Sequence, residues 1–165
     1  MSINRNKPHL VVVQEDSPYR DLTNGIRNAV HVEGYRIDSR APVGGWTKVL
    51  ASLQDMISLL DRYTEMHLLL LMDFDYEFNS RMGKFQQAIA GQSYQNRVFL
   101  LGVDNKEFES LKQTLKQTNV ERIGQMLVED CPQQQTPIWQ NQHLNCNQPE
   151  IQRMRAAGVF EWLFK

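Results

Sequence analysis

The chain has 165 residues, of which 41% are hydrophobic and 22% charged. That is the balance of an ordinary globular domain with a core that needs no staples, and it excludes wholesale disorder or a fibrous repeat. A formal net charge of −1 excludes a globally basic nucleic-acid binder that works by charge alone.

Residues 1–7 lack the apolar core of a secretory signal and no apolar run is long enough to cross a bilayer, so a cytoplasmic protein with no membrane partner is expected. His9-Leu10-Val11-Val12-Val13-Gln14-Glu15-Asp16 is a β-branched run that stops at carboxylates and predicts a first buried strand. Ser17 suits an N-cap and Pro18 the first position of a helix reaching about Val30, with Leu22, Ile26 and Val30 on one face and Gly25 as its weak point. Residues 32–38 alternate in part, Tyr35 and Ile37 on one side, and predict a second, more exposed strand. Gly44 and Gly45 then lead into a helix whose apolar face is Val49, Leu50, Leu53, Met56, Ile57 and Leu60. Such a glycine pair allows backbone to approach an anion at a helix N-terminus, but it is above all a turn signal, and the turn is the favoured reading.

The organising stretch is His67-Leu68-Leu69-Leu70-Leu71-Met72-Asp73-Phe74-Asp75. Its apolar part reads as a strand buried on both faces, as at the centre of a parallel sheet, and its carboxylates stand at the C-terminal end where open α/β sheets bind ligands. Strand alternation would point Asp73 and Asp75 to one side and Phe74 into the packing. Two oxygen donors on one side suit a hard divalent cation. The alternative is a helix N-cap followed by an acidic first turn.

A polar helix over about 79–90, a buried strand over 97–103, a helix over 104–117 and a short helix over 120–130 with Ile123, Leu127 and Val128 inward continue the strand–helix alternation of an α/β fold. Glu107 and Glu109 either add an acidic ligand to the same sheet edge or, the preferred reading, favour a helix N-terminus. Residues 131–148 are glutamine-rich and read as a surface loop or short appendage. Within it Trp139, His143, Asn145 and Asn147 could contact a nucleotide, although packing or surface roles are commoner for such residues. Asn147-Gln148-Pro149-Glu150 has the form of a capping box opening a last helix over Ile151 and Met154. The terminal Phe160, Trp162 and Phe164 either dock on the body, as preferred, or mark a partner surface. Arg81, Lys84, Arg97, Arg153 and Arg155 would hold phosphates if they shared a face. Cys131 and Cys146 are too few for a disulfide framework or a thiolate zinc site, so both are expected as free thiols, and neither has a convincing base for nucleophilic catalysis.

If the first and third strands are neighbours, Glu15, Asp73 and Asp75 converge at one edge, an arrangement suited to phosphoryl chemistry with a metal. Leu10-Val11-Val12-Val13-Gln14-Glu15 followed by Leu69-Leu70-Leu71-Met72-Asp73-Phe74-Asp75 resembles the Toprim domain of topoisomerases, bacterial primases and nucleases of the overcoming-lysogenization-defect class. The resemblance covers roughly residues 9–103. It implies a single-domain, Toprim-like Rossmannoid α/β fold, a mainly parallel central sheet flanked by helices, with residues 104–165 as a mostly helical C-terminal extension. It also implies that Asp73 and Asp75, with Glu15, hold Mg²⁺ or Mn²⁺ and that Glu15 serves as general acid or base. The implied activity is nuclease-like, on phosphodiester bonds of DNA or RNA. No Gly-rich Lys-Ser/Thr nucleotide motif is present, so a partner ATPase or other chain is expected for any energy-driven task. Two departures stand out. No glycine follows the second aspartate in Tyr76-Glu77-Phe78-Asn79-Ser80, and Glu15 is followed by Asp16 where the family commonly has glycine. These fit the alternative of a non-catalytic Toprim-like binding or regulatory module that recognises a protein or a nucleotide.

Overall fold

A computed structural model of the chain describes residues 3–30, 36–104, 108–130, 138–159 and 161. Four parallel strands, β1 (His9–Gln14), β2 (Ile37–Ser39), β3 (Met66–Leu71) and β4 (Val98–Leu101), form one sheet in the order β2-β1-β3-β4. Every residue of β1, β3 and β4 is buried, as their continuous apolar runs require of strands covered on both faces. Alternation divides them between two cores. Leu10, Val12, Leu69, Leu71, Phe99 and Leu101 face one helical layer, and Val11, Val13, Leu68, Leu70, Val98 and Leu100 face the other.

The first layer holds α1 (Ser17–Ala29), α4 (Phe108–Leu115), α5 (Val120–Asp130) and α6 (Gln148–Ala156); the second holds α2 (Trp46–Arg62) and α3 (Phe78–Ile89). The chain leaves β1 towards one edge of the sheet and β3 towards the other, so the order reverses between β1 and β3. The crevice at the C-terminal end of such a pair is where doubly wound sheets bind ligands. This is the α/β, Rossmann-like architecture expected from the strand–helix alternation, with the helices after residue 104 built into the same core through Ile123, Leu127 and Val128. Among the described residues no helix is long and apolar enough to cross a membrane.

Several local expectations are corrected. The N-cap of α1 is Asp16, one residue before Ser17, and its carboxylate accepts from the Tyr19 amide at 3.5 Å. The second strand is described over Ile37–Ser39, whereas residues 32–35 of the expected strand, Tyr35 among them, lie outside the described residues, as do Glu107, Cys131, Phe160, Trp162 and Phe164. Gly25 is no weak point. A Cβ there would stand 1.9 Å from the Glu121 carbonyl oxygen, and one on Gly124 would stand 2.2 Å from that of Leu22. The two glycines let α1 and α5 cross backbone to backbone, a contact that outweighs the entropic cost of glycine in a helix.

The capping box does not form, although the helix does. Asn147 is the N-cap of α6 but makes no side-chain cap bond. Its amide instead accepts from Gly102 N at 3.0 Å and donates to Gly102 O at 2.8 Å, and Glu150 accepts from Leu100 N at 2.9 Å. Arg153 donates to the Val98 carbonyl at 3.1 Å and pairs with Glu150 at 2.7 Å. Three side chains from the N-cap and first two turns of α6 thus satisfy the outer backbone groups of β4 and of Gly102 after it, in the place a fifth strand would take. Each such buried group left unpaired would cost about 1–3 kcal/mol.

The glycine crossing makes a signed prediction. Gly25→Ala and Gly124→Ala should each destabilise the protein by about 3 kcal/mol through overpacking in urea denaturation. Gly83→Ala in α3, where a Cβ meets nothing within 4 Å, should instead stabilise it by about 0.5–1 kcal/mol.

Candidate functional site

The parallel pairing of β1 with β3 sets Gln14 opposite Leu71, and the ladder runs one step further as Glu15 N donates to Leu71 O at 3.0 Å. Glu15 therefore leaves the sheet beside the segment that follows β3. Its carboxylate accepts from the Asp73 amide at 2.8 Å. The Asp73 peptide is held on its other side too, since Arg81 Nη1 donates to the Asp73 carbonyl at 2.6 Å. The Asp73 side chain accepts at 2.7 Å from the hydroxyl of the fully buried Tyr19, which itself accepts from Val103 N at 3.1 Å. One carboxylate is thus fixed by β1, α1, α3 and the segment after β4.

Glu15, Asp73 and Asp75 all line one open cavity of about 550 Å³, which they share with Asp16, Trp46, Arg81, Glu109 and Lys112. Phe74 is buried in the α2/α3 core, as expected. The strand, however, ends at Leu71, and Asp75 and Tyr76 adopt left-handed backbone conformations with φ of 49° and 60°. Turn geometry, and not strand alternation, therefore places Asp75. Its carboxylate lies 3.7 Å from Arg81 Nη2, which is also 3.5 Å from Glu77. The strained turn leaves Tyr76 71% exposed. A non-glycine residue in this region costs about 1–3 kcal/mol.

The electrostatics follow from burial and crowding. Loss of solvent pushes the Asp73 carboxyl up to about 7, against the Tyr19 hydrogen bond that favours its anion, and repulsion from Glu15, Asp16 and Asp75 adds to the rise. Burial is likewise the main cause that lifts Glu15 and Asp16 above the usual carboxylate range. Arg81, itself buried, lies under the Trp46 ring at 4.4 Å, with Lys84 at 4.9 Å from the same ring.

Asp16, Tyr19 and Trp46 belong to this site and were not singled out from the sequence. The one signal for Asp16 was the second acid after a buried strand, and Tyr19 stands a single helical turn beyond it. The basic residues separate. Arg81 and Lys84 stand at the site, whereas Arg97 donates to the carbonyls of Leu60, Tyr63 and Met66, tying the end of α2 to the sheet, and Arg153 holds β4. Trp139 is buried with its indole donating to Leu127 O at 3.1 Å, and Asn147 clamps Gly102, so neither is presented to a nucleotide. The His143 carbonyl accepts from Asp104 N, and Asn145 is exposed. Glu109 is both in the first turn of α4 and on the cavity wall, 3.0 Å from Lys112. At the N-terminus of α2, Gly44 N donates to Glu15 O at 2.8 Å and Val43 N to Gln14 O at 3.0 Å, so the glycine pair serves a turn tied to β1. Cys146 is a free thiol that burial pushes up to about 12, which removes it as a nucleophile.

Comparison with protein-family models, curated proteins and solved structures finds no match to this chain, and nothing in it identifies a Toprim domain.

Because the folded Asp73 holds its proton up to about pH 7 while an unfolded aspartate loses it near 4, its favourable contribution is complete below about pH 4 and lost as pH rises through 7. Asp73→Asn should therefore raise stability above pH 7 by about 1–2 kcal/mol, solvent screening allowed for. The gap should close towards pH 4, as followed by thermal melts across that range.

Proposed function

We propose that the cavity at the β1/β3 edge binds Mg²⁺ or Mn²⁺ and supports phosphodiester chemistry on DNA or RNA. The observation that carries this reading is the meeting of Glu15 and Asp73, from the two strands that flank the switch point, in one solvent-open cavity. The donor set is chemically right for a hard cation, and burial, with repulsion from neighbouring carboxylates adding to it, disfavours the anions of Glu15 and Asp73, which gives them reason to take one up. Among the described residues no three such side chains form a ready-made cage. Mg²⁺ keeps several waters and is held by one or two protein carboxylates.

In this reading Asp73 would hold the ion together with Glu15 or Asp16, and a bound ion would supply charge that polarises a phosphate oxygen. Glu15 serves in proton transfer. Arg81 holds the Asp73 peptide and draws Asp75 to itself, so Asp75 contributes negative field more than a free ligand arm. Tyr19 fixes the Asp73 carboxylate from beneath, which is the preorganisation such a site needs.

One observation favours the non-catalytic alternative. Among the described residues the cations on the cavity wall, Arg81 and Lys112, both pair with carboxylates, and only the buried Nε of Arg81 is left without a partner. A polyanionic backbone would find little unpaired positive charge there unless a metal supplied it.

Incubation with DNA and RNA in millimolar Mn²⁺ separates the two. Cleavage that falls about 100-fold or more in Asp73→Ala and Glu15→Ala is the expected result, together with a melting temperature raised by Mn²⁺ through linkage. Cleavage untouched by both substitutions, or absent, sinks the nuclease reading. A metal-induced rise without cleavage leaves a metal-binding regulatory module.

A further inference from the structure

The second large cavity lies away from the acidic edge, alongside β2, and has the opposite polarity. It encloses about 460 Å³ between the N-terminal segment, the β1/β2 pair and the end of α2, a volume in the range of small-molecule sites. Three guanidinium groups line it from three separate parts of the chain: Arg5 before β1, Arg27 in the last turn of α1, and Arg40 just after β2. Against them stands Asp38, the one carboxylate among the described lining residues.

Their existing partners do not use this charge up. Arg40 Nη2 pairs with Asp38 at 3.1 Å, yet its Nε is fully buried and has no hydrogen-bond partner. A buried donor without an acceptor is unfavourable. The Arg40 main chain is fixed at the end of β2, its amide donating to Val12 O at 3.0 Å and its carbonyl accepting from Gln14 Nε2 at 2.5 Å. Arg5 lies over the Tyr63 ring at 5.2 Å. Neither Arg5 nor Arg27 has a carboxylate partner among the described residues. The floor, by contrast, is apolar, formed by Val11, Leu59 and Met66.

Guanidinium forks of which two have no carboxylate partner among the described residues, set beside an apolar floor, suit an anion attached to an organic body. Guanidinium matches the geometry of phosphate oxygens through paired N–H donors, and concave walls raise the local concentration of anions. We propose that this cavity is a binding site for a small organic phosphate, with the phosphate on Arg27 and Arg40 and the body on the Val11/Met66 floor. The site is independent of the chemistry at Asp73.

Thermal melting and calorimetry of the full chain, at constant ionic strength, test it with adenosine 5′-monophosphate, ribose 5-phosphate, adenosine and inorganic phosphate as probes. The two organic phosphates should bind with Kd of about 1 mM or tighter, adenosine should not bind, and inorganic phosphate should bind about ten-fold or more weakly. Arg27→Gln changes an exposed side chain and should keep the fold while weakening the organic phosphates about ten-fold. Arg40→Gln should do the same if it folds, and Asp73→Ala should leave binding unchanged. No shift beyond that of sodium sulfate, unchanged binding in Arg27→Gln, or inorganic phosphate binding as tightly as the organic probes would each overturn the proposal.

Discussion

The pairing of β1 with β3 is the constraint on which the rest of the structure depends. Six consecutive residues of each strand are in parallel register, from His9 opposite Met66 to Gln14 opposite Leu71. Side chains alternate across that ladder, so a slip of one residue would exchange the two cores, sending Val11 and Val13 to the α1/α5 side and Leu10 and Val12 to the α2/α3 side. The same register delivers Glu15 to the Asp73 amide. Packing and site chemistry are thus set by a single choice of pairing, and neither can change without the other.

What lies at the end of that pair is costly to the fold. Asp73 is largely removed from water and repelled by Glu15, Asp16 and Asp75, and the turn that carries Asp75 and Tyr76 is in a conformation that glycine would adopt more easily. The surrounding structure over-determines this arrangement. Tyr19, Arg81 and the Glu15 carboxylate each hold a different atom of Asp73. Strain and like charge sustained by a rigid shell are the features on which the proposed metal site rests. The arginine cavity beside β2 is the counterpart, with positive charge in excess and a buried donor lacking its acceptor.

Elsewhere the molecule spends polar side chains on closure. The β4 edge, which would otherwise offer a row of unpaired backbone groups to another chain, is covered by Asn147, Glu150 and Arg153. Gln14, fully buried at the end of β1, bridges Ser39 and the Arg40 carbonyl on one side and the Thr23 hydroxyl on the other. These bonds explain why residues that look like a helix cap or phosphate ligands act as parts of the scaffold.

The amino-acid order by itself determined the buried strands, their parallel arrangement and the acidic C-terminal ends, because uninterrupted runs such as Leu68-Leu69-Leu70-Leu71 satisfy only a strand covered on both faces. It also determined α5 to its residue limits, since Ile123, Leu127 and Val128 recur at helical spacing. Tertiary structure alone decided which polar residues are free. Arg81 and Arg153 are indistinguishable in sequence, yet one lies beside Asp73 and the other on the β4 edge. Glycine carried opposite meanings for the same reason: Gly25 is required by a helix that crosses α1 from about a hundred residues away in sequence, and Gly83 meets nothing. Periodicity reports the neighbours a residue has along its own element. Hydrogen-bond partners, close backbone approaches and the burial that lifts Asp73 come from elements distant in sequence, and they exist only once the sheet has brought those elements together.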